Sequence, residues 1–330
     1  MAEASAGSLR GWQHPTGIGV RRHLLVIPSV ICAAQAALTI VDGEPGAVAI
    51  EHQHGCSQLG GDAHLTEHVL TGLGTHPNVA GTLVVSLGCE TVQGVALHRS
   101  IVGRGQRAEF VGIQQAGGTG AAIQAGREVL HRLRSAAASD AHVALDWAAL
   151  RVGVEAAWLD VPPSQARVFL EVIGELRRAG ATVIQAASTA GADAGLWWEQ
   201  ATQLVPGPRL SPNGLSYATR PAGAGVYLME SPATRIAQKT GLAAAGAHVI
   251  LSPLAGGLPA GCPVAPVLHV GIAPYARPFA EDVDVMLDEA PPELAAAAVL
   301  DAVVGACRTV TLLETIGDFE MAIHRIAPTM

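Results

Sequence analysis

The chain has 330 residues, of which 49% are apolar, 15% charged and 4% aromatic, with a formal charge of −8. So much apolar material in this length supports one large or two medium folded units and excludes a largely disordered chain. The acidic balance excludes nucleic acid as the main partner, because phosphate binding needs a basic face.

Lysine and arginine together number 20, and only Lys239 is a lysine, which leaves little room for Schiff-base chemistry. The five cysteines (Cys32, Cys56, Cys89, Cys262 and Cys307) form no C-x-x-C pair and read as reduced thiols of a cytoplasmic protein. The first residues lack the apolar run of a signal peptide. No stretch reaches the ~18 strongly apolar residues of a membrane span.

Residues 1–21 read as a flexible lead-in, 22–138 as a first α/β domain and 139–330 as a second. The unbroken apolar run His23–Pro28 predicts a buried parallel strand. A helix over Cys32–Val41 and a strand over Gly46–Glu51 follow, then the loop His52-Gln53-His54-Gly55-Cys56. Gly61–Gly72 has helical spacing. His76–Gly81 is a turn into a third strand, which ends at Gly88-Cys89-Glu90. A short helix over Val92–Gly103 and a strand over Glu109–Ile113 lead to Gln114-Gln-Ala-Gly117-Gly118-Thr119-Gly120. That glycine-rich segment opens a helix over 121–134, with Thr119 as its expected N-cap. Unpaired N–H groups at such a start make an anion site.

Residues 135–140 read as a linker. Beyond it a strand lies within Val143–Val154, and Pro163–Gly180 is an amphipathic helix ending at Gly. A strand at Ala181–Ile184 precedes a helix over Gly191–Leu204, and Pro206–Gly225 reads as a long loop. Strands at Val226–Met229, His248–Leu251 and Val264–Gly271, a helix over Ala233–Ala245, another over Pro292–Cys307 and a helical tail over Val310–Ile326 complete the chain. The alternation predicts an α/β fold of two Rossmann-like three-layer αβα units with mainly parallel sheets.

Two imidazoles, two thiols and a carboxylate thus follow successive strands, where open α/β folds bind ligands. Read from the residues alone, His-x-His in a loop is more often a hydrogen-bonded turn than a site, and Cys89 is as easily a small core residue. Glu90 is the stronger candidate, because a carboxylate is costly to bury idly.

The order HQHGC, HPNVAG before an apolar strand, GCE and QxxGGT opening a helix resembles the altronate/galactarate dehydratase family, which includes the large subunit of sulfolactate sulfo-lyase. The likeness starts at Arg22-His23, includes Cys32, and continues through Glu230-Ser-Pro232 and Ala265-Pro-Val267 to Glu314-Thr-Ile-Gly317 and Glu320. The resemblance implies a lyase that eliminates water or sulfite from a small anionic hydroxy-acid. It also implies a divalent metal, iron or manganese, a homodimer, and a separate small β-clip subunit in place of the family's N-terminal β-clip domain.

Departures fall in the second half. Where the family has Cys-Gly-Gly-Ser-Asp, this chain has Ala156-Ala157-Trp158-Leu159-Asp160, preceded by Glu155. The family's Asp-x-Asp-x-Asn-Ala is Asp282-Val-Asp284-Val-Met286-Leu287 here. The implied catalytic residues are His52, His54, Cys56, Glu90, Glu155 and Asp160. Arg22, Gln53, Gln114, Gly117, Gly118 and Thr119 are expected to bind substrate, and His52, His54, Cys89 and Glu90 to hold the metal. The losses leave a second expectation beside the lyase: a non-catalytic paralogue that binds a ligand or partner subunit, or a new reaction on the same scaffold.

Overall fold

A computed structural model describes residues 9–157, 161–188, 210–287 and 290–325, with Gly195, Trp198, Glu199 and Gln203 between them. Two parallel sheets carry the fold. The first has the order β4-β3-β5-β6, from Ala47–Ala49, His23–Pro28, Val79–Ser86 and Ala108–Gly112. Its strands are buried on both faces, which explains why β3 and β5 read as unbroken apolar runs. Leu24, Val26, Leu83 and Val85 pack on helices α1 (Ala34–Val41) and α4 (Thr119–Ala137). Leu25, Ile27 and Val84 face the other way, towards α2 (Gly61–Gly74) and α3 (Gly94–Gly103).

The second sheet has the order β10-β11-β9-β8-β12-β13-β14, all parallel. These strands are Asn213–Leu215, Val226–Ser231, Thr182–Ser188, Arg151–Val154, Val249–Leu254, Val267–Ile272 and Val285–Leu287. One face packs on α5 (Pro163–Arg178) and α7 (Pro292–Ala306). The other packs on α6 (Arg235–Ala244), which meets α2 of the first unit, so one apolar cluster spans both sheets. At Gly72 the helices touch so closely that a Cβ would lie 2.5 Å from the Ala244 carbonyl oxygen.

The turn His76-Pro77-Asn78 joins the two units at their amino edges. His76 Nε2 donates to Ala247 O at 2.9 Å, and the Asn78 amide donates to His248 O and Val264 O. Burial pushes the His76 pKa well below its ordinary value, and the ring stays neutral as a donor and an acceptor.

Several sequence expectations change. Residues 9–19 are not a loose lead-in: β1 (Leu9–His14) pairs antiparallel with β2 (Gly17–Gly19) and with β7 (His142–Leu145). The expected linker is helical through Ala137, and the strand expected within 143–154 is two strands, β7 and β8. β10 interrupts the loop expected over Pro206–Gly225. Among the described residues of the tail, the helix is α8 (Leu312–Ile316), which carries a capping box from Thr311 and Glu314. Beyond Gly317 the described residues have no regular structure apart from a bridge between Phe319 and Gly261, and they bond to Gly261 and Thr240. The helix expected over Gly191–Leu204 lies largely outside the described residues.

Candidate functional site

Each parallel sheet has a central point from which the chain winds outward to either side, and at such switch points the carboxyl-end loops splay apart and open a crevice. In the first sheet that point lies between β3 and β5, and in the second between β8 and β12. The candidate residues gather at both places.

At the first switch point Gly55 is the hub. It adopts φ +96°, and a Cβ there would sit 2.1 Å from Ser29 O, so only glycine fits. Its carbonyl accepts N–H bonds from Thr91 and Val92, while Ile31 N donates to His54 O. The loops after β3, β4 and β5 are thereby tied together, with Cys32, Cys56 and Cys89 exposed on them. Gln53 and Gln114 are exposed as well, and the Gln114 side chain lies over Gly88.

His52 and His54 lie inside this knot. His52 Nε2 donates to Pro28 O at 2.6 Å and Nδ1 accepts from His54 N at 3.2 Å. His54 Nε2 donates to Ile323 O at 3.1 Å, and Nδ1 accepts from Gln58 Nε2 at 2.9 Å. Gln58 Oε1 in turn accepts from Gly55 N and Thr66 Oγ1, which sets the orientation of its amide. Both rings are therefore neutral with each nitrogen engaged. Burial depresses the His52 pKa to about 4 and lowers that of His54.

Glu90 is 2% exposed. Burial by itself would raise its pKa. Hydrogen bonds from Gly88 N at 2.6 Å and Ser29 Oγ at 2.8 Å outweigh that and hold it below the ordinary carboxylate range. The Ser29–Glu90 bond spans the switch point from the β3 side to the β5 side.

This arrangement does not fit the expected metal centre. The nitrogens of His52 and His54 are spent on protein partners, and Glu90 is bonded at both oxygens. Among the described residues no three His, Cys, Asp or Glu side chains come together to hold an ion. The same bonds leave neither imidazole a lone pair for use as a base.

The glycine-rich segment also differs in detail. Gly118, at φ +132°, is the N-cap of α4, and Thr119 is its first residue without a side-chain cap. The N–H groups of Gly117 and Gly118 are bonded to Gln114 O and Ile113 O, so neither can bind substrate. The helix's own orphan donors are those of Thr119, Gly120 and Ala121, since Ala122 N already bonds Gly118 O. Arg22 is at the opposite, amino edge: it precedes β3, donates to Ala137 O and stacks over Trp12. The alternation of strand and loop puts it a full strand length from the carboxyl-edge loops.

The second switch point holds Glu155, directly after β8 and 0% exposed. Arg235 Nε donates to Glu155 Oε2 at 3.1 Å, and Glu155 Oε1 is buried without a hydrogen-bond partner. Lys239, also buried, donates to Ala260 O at 2.7 Å. Burial pulls its pKa below the ordinary value, with Glu155 opposing. His269 accepts from Ala260 N through Nε2, and burial, with Lys239 and Arg235, brings its pKa to about 3. Asp160 lies outside the described residues. Arg235, Lys239, Ser252 and His269 were not singled out from the sequence as site residues. The one available signal was a lone lysine in the apolar stripe Ala237–Ala244.

Comparison with known proteins bears on both halves. Residues 11–138 match the family model described as D-galactarate dehydratase/altronate hydrolase, second domain, and residues 213–324 match D-galactarate/altronate dehydratase, C-terminal. The chain is 32% identical over 167 residues to an altronate dehydratase of Escherichia coli, covering 47% of this chain and 33% of that one. It is 29% identical over 160 residues to an altronate dehydratase of Bacillus subtilis, covering 45% and 32%. Over 86 residues it is 30% identical to the beta subunit of a (2R)-sulfolactate sulfo-lyase of Chromohalobacter salexigens, covering 26% and 22%. These matches span about a third or less of each relative's length. With both domain models matched in order along the sequence, the chain belongs to the galactarate/altronate dehydratase family.

Proposed function

We propose that this dehydratase-family protein is a lyase that eliminates water, or another β leaving group, from a small anionic hydroxy-acid. The observation that carries the reading is the set of loops drawn together at Gly55 beside the start of α4. It places exposed thiols of Cys56 and Cys89 on the same sheet edge as three orphan N–H groups at a helix start. A substrate carboxylate on Thr119, Gly120 and Ala121 is favoured by those donors and by the helix dipole. Holding it there acidifies the neighbouring C–H, because charge that develops on the carboxylate is met by fixed donors. The sulfur of Cys56 or Cys89 is the base that takes that proton. The C–O bond breaks, and the same proton leaves with hydroxide as water. The enol then ketonises to a 2-oxo acid. Glu90, held ionised, and the neutral His52 and His54 keep the loops in register. No step is routed through a metal, because the imidazole and carboxylate donors are already engaged.

The test is product formation from altronate, galactarate and (2R)-sulfolactate, with Fe(II) or Mn(II) supplied, read as 2-oxo acid or released sulfite. Turnover that falls at least 100-fold in a Cys56→Ser/Cys89→Ser variant with an unchanged melting curve supports the reading. No product from any of the three, with the same acids still raising the melting temperature, points to the ligand-binding paralogue.

A further inference from the structure

We propose that Arg235 is a carboxylate clamp at the second switch point, and that Glu155 and Ser252 are its positioning residues. The proposal deepens the hydroxy-acid reading by naming where an acid group of the ligand docks in the second half. Three observations carry it. The switch point lies between β8 and β12, and Arg235 reaches across that gap, bonding Glu155 just after β8 and Ser252 Oγ, within β12, at 2.8 Å. Its third bond goes to Gly256 O at 3.1 Å. A guanidinium has five N–H groups, and these three bonds leave one unused on each terminal nitrogen. The side chain is 27% exposed. Donors on the two terminal nitrogens of one rigid plane are what a carboxylate can accept together.

The third observation is the state of Glu155. It is fully buried, uses one oxygen on Arg235, and leaves Oε1 unpaired. An unmade buried hydrogen bond costs on the order of 1–3 kcal/mol, so this carboxylate is poorly placed for stability alone. It is well placed to hold the guanidinium plane against the sheet edge, with Ser252 bonding a terminal nitrogen of the same plane. Lys239, also buried, lies near enough to Glu155 and Arg235 to interact electrostatically with both. The ligand class is therefore a carboxylate, planar and bidentate, in preference to a neutral amide of the same shape.

The experiment measures binding of D-glycerate and of uncharged D-glyceramide to the whole chain by calorimetry at pH 7 and fixed ionic strength. The expected result is saturable glycerate binding, with glyceramide at least tenfold weaker. Arg235→Lys should weaken glycerate at least tenfold, because the charge stays and the fork is lost. Ser252→Ala should weaken it two- to fivefold, because the fork stays and one of its supports is lost. Melting curves for each variant check the fold. Absence of saturable glycerate binding, equal binding of the amide, or wild-type affinity in Arg235→Lys overturns the proposal. This readout is independent of turnover. Glycerate held by Arg235 with no elimination from any acid would sink the lyase reading and leave the clamp standing.

Discussion

The two switch points have opposite characters. At the first, every titratable side chain inside the loops is satisfied: both rings of the His52/His54 pair are bonded at both nitrogens and Glu90 at both oxygens. At the second, Glu155 has an unpaired oxygen and Arg235 has spare donors. A fully bonded buried network specifies one geometry and resists titration, whereas unused hydrogen-bonding capacity is what a ligand can complete. His52, His54 and Glu90, which look chemical in the sequence, thus spend their polar atoms on the protein itself.

The largest test of this contrast is Gly55→Ala. The added Cβ would sit 2.1 Å from Ser29 O at a positive φ, so the loops after β3, β4 and β5 must part. We expect a loss of roughly 3 kcal/mol or more in urea unfolding. A loss below 1 kcal/mol would show that the knot is not what holds this edge.

Asn78→Ala should come next. Its amide accepts from Val20 N and donates to His248 O and Val264 O, so the change strips three bonds from the joint between the units. About 2–3 kcal/mol is expected from groups left unpaired. Retained stability would mean that the joint rests on the α2–α6 packing alone.

Acid provides a graded comparison. His52 has a folded pKa of about 4, and His248 and His269 about 3, all depressed by burial from an ordinary 6.5. Below pH 6.5 the unfolded chain binds protons that the native state refuses. Stability is therefore full above that pH and falls as pH drops towards 3–4. Each such histidine contributes up to about 1.4 kcal/mol per pH unit. A His52→Gln variant whose stability declines less steeply between pH 6.5 and 4 is the expected outcome. An unchanged slope would contradict the buried neutral assignment.

The smallest effect is expected at the tail. His54 Nε2 bonds Ile323 O, and Ala322 N bonds Thr240 Oγ1, so residues 318–325 strap the first edge to α6. His54→Ala should cost about 1 kcal/mol and raise amide exchange selectively in residues 320–324. Exchange unchanged there would show that the Gly261 contacts hold the strap without His54.

Much of the layered architecture was legible in the chain. β3, β5, β12 and β13 announced themselves as apolar runs because strands covered on both faces have no polar register to keep. α5 was equally plain from its apolar stripe, its proline start and Gly180 after its end. β1, β2 and β10 were not legible: they are short, and β1 pairs with β7 from far along the chain, so local pattern carries no trace of them. The tail misled because Leu312–Ile316 does form a helix, while the residues beyond it are held out of one by bonds to Gly261 and Thr240, far away in sequence.

At the site, local spacing determined which residues share an edge. A strand followed by a short loop must deliver its next residues to the carboxyl end, and this brought Cys56, Cys89, Glu90 and Thr119 together. What each group can do was decided by tertiary contacts. Pro28 O, Ile323 O and Gln58 settle the tautomers of two histidines, and Ala260 O, 21 residues from Lys239 along the chain, accepts a hydrogen bond from its amine. The pairing of Arg235 with Glu155, across a separation of 80 residues, has the same origin. Apolar periodicity is a property of the chain itself and survives in the sequence. The protonation and spare bonding capacity of a side chain depend on which distant donors and acceptors burial places beside it, and only the folded structure supplies those.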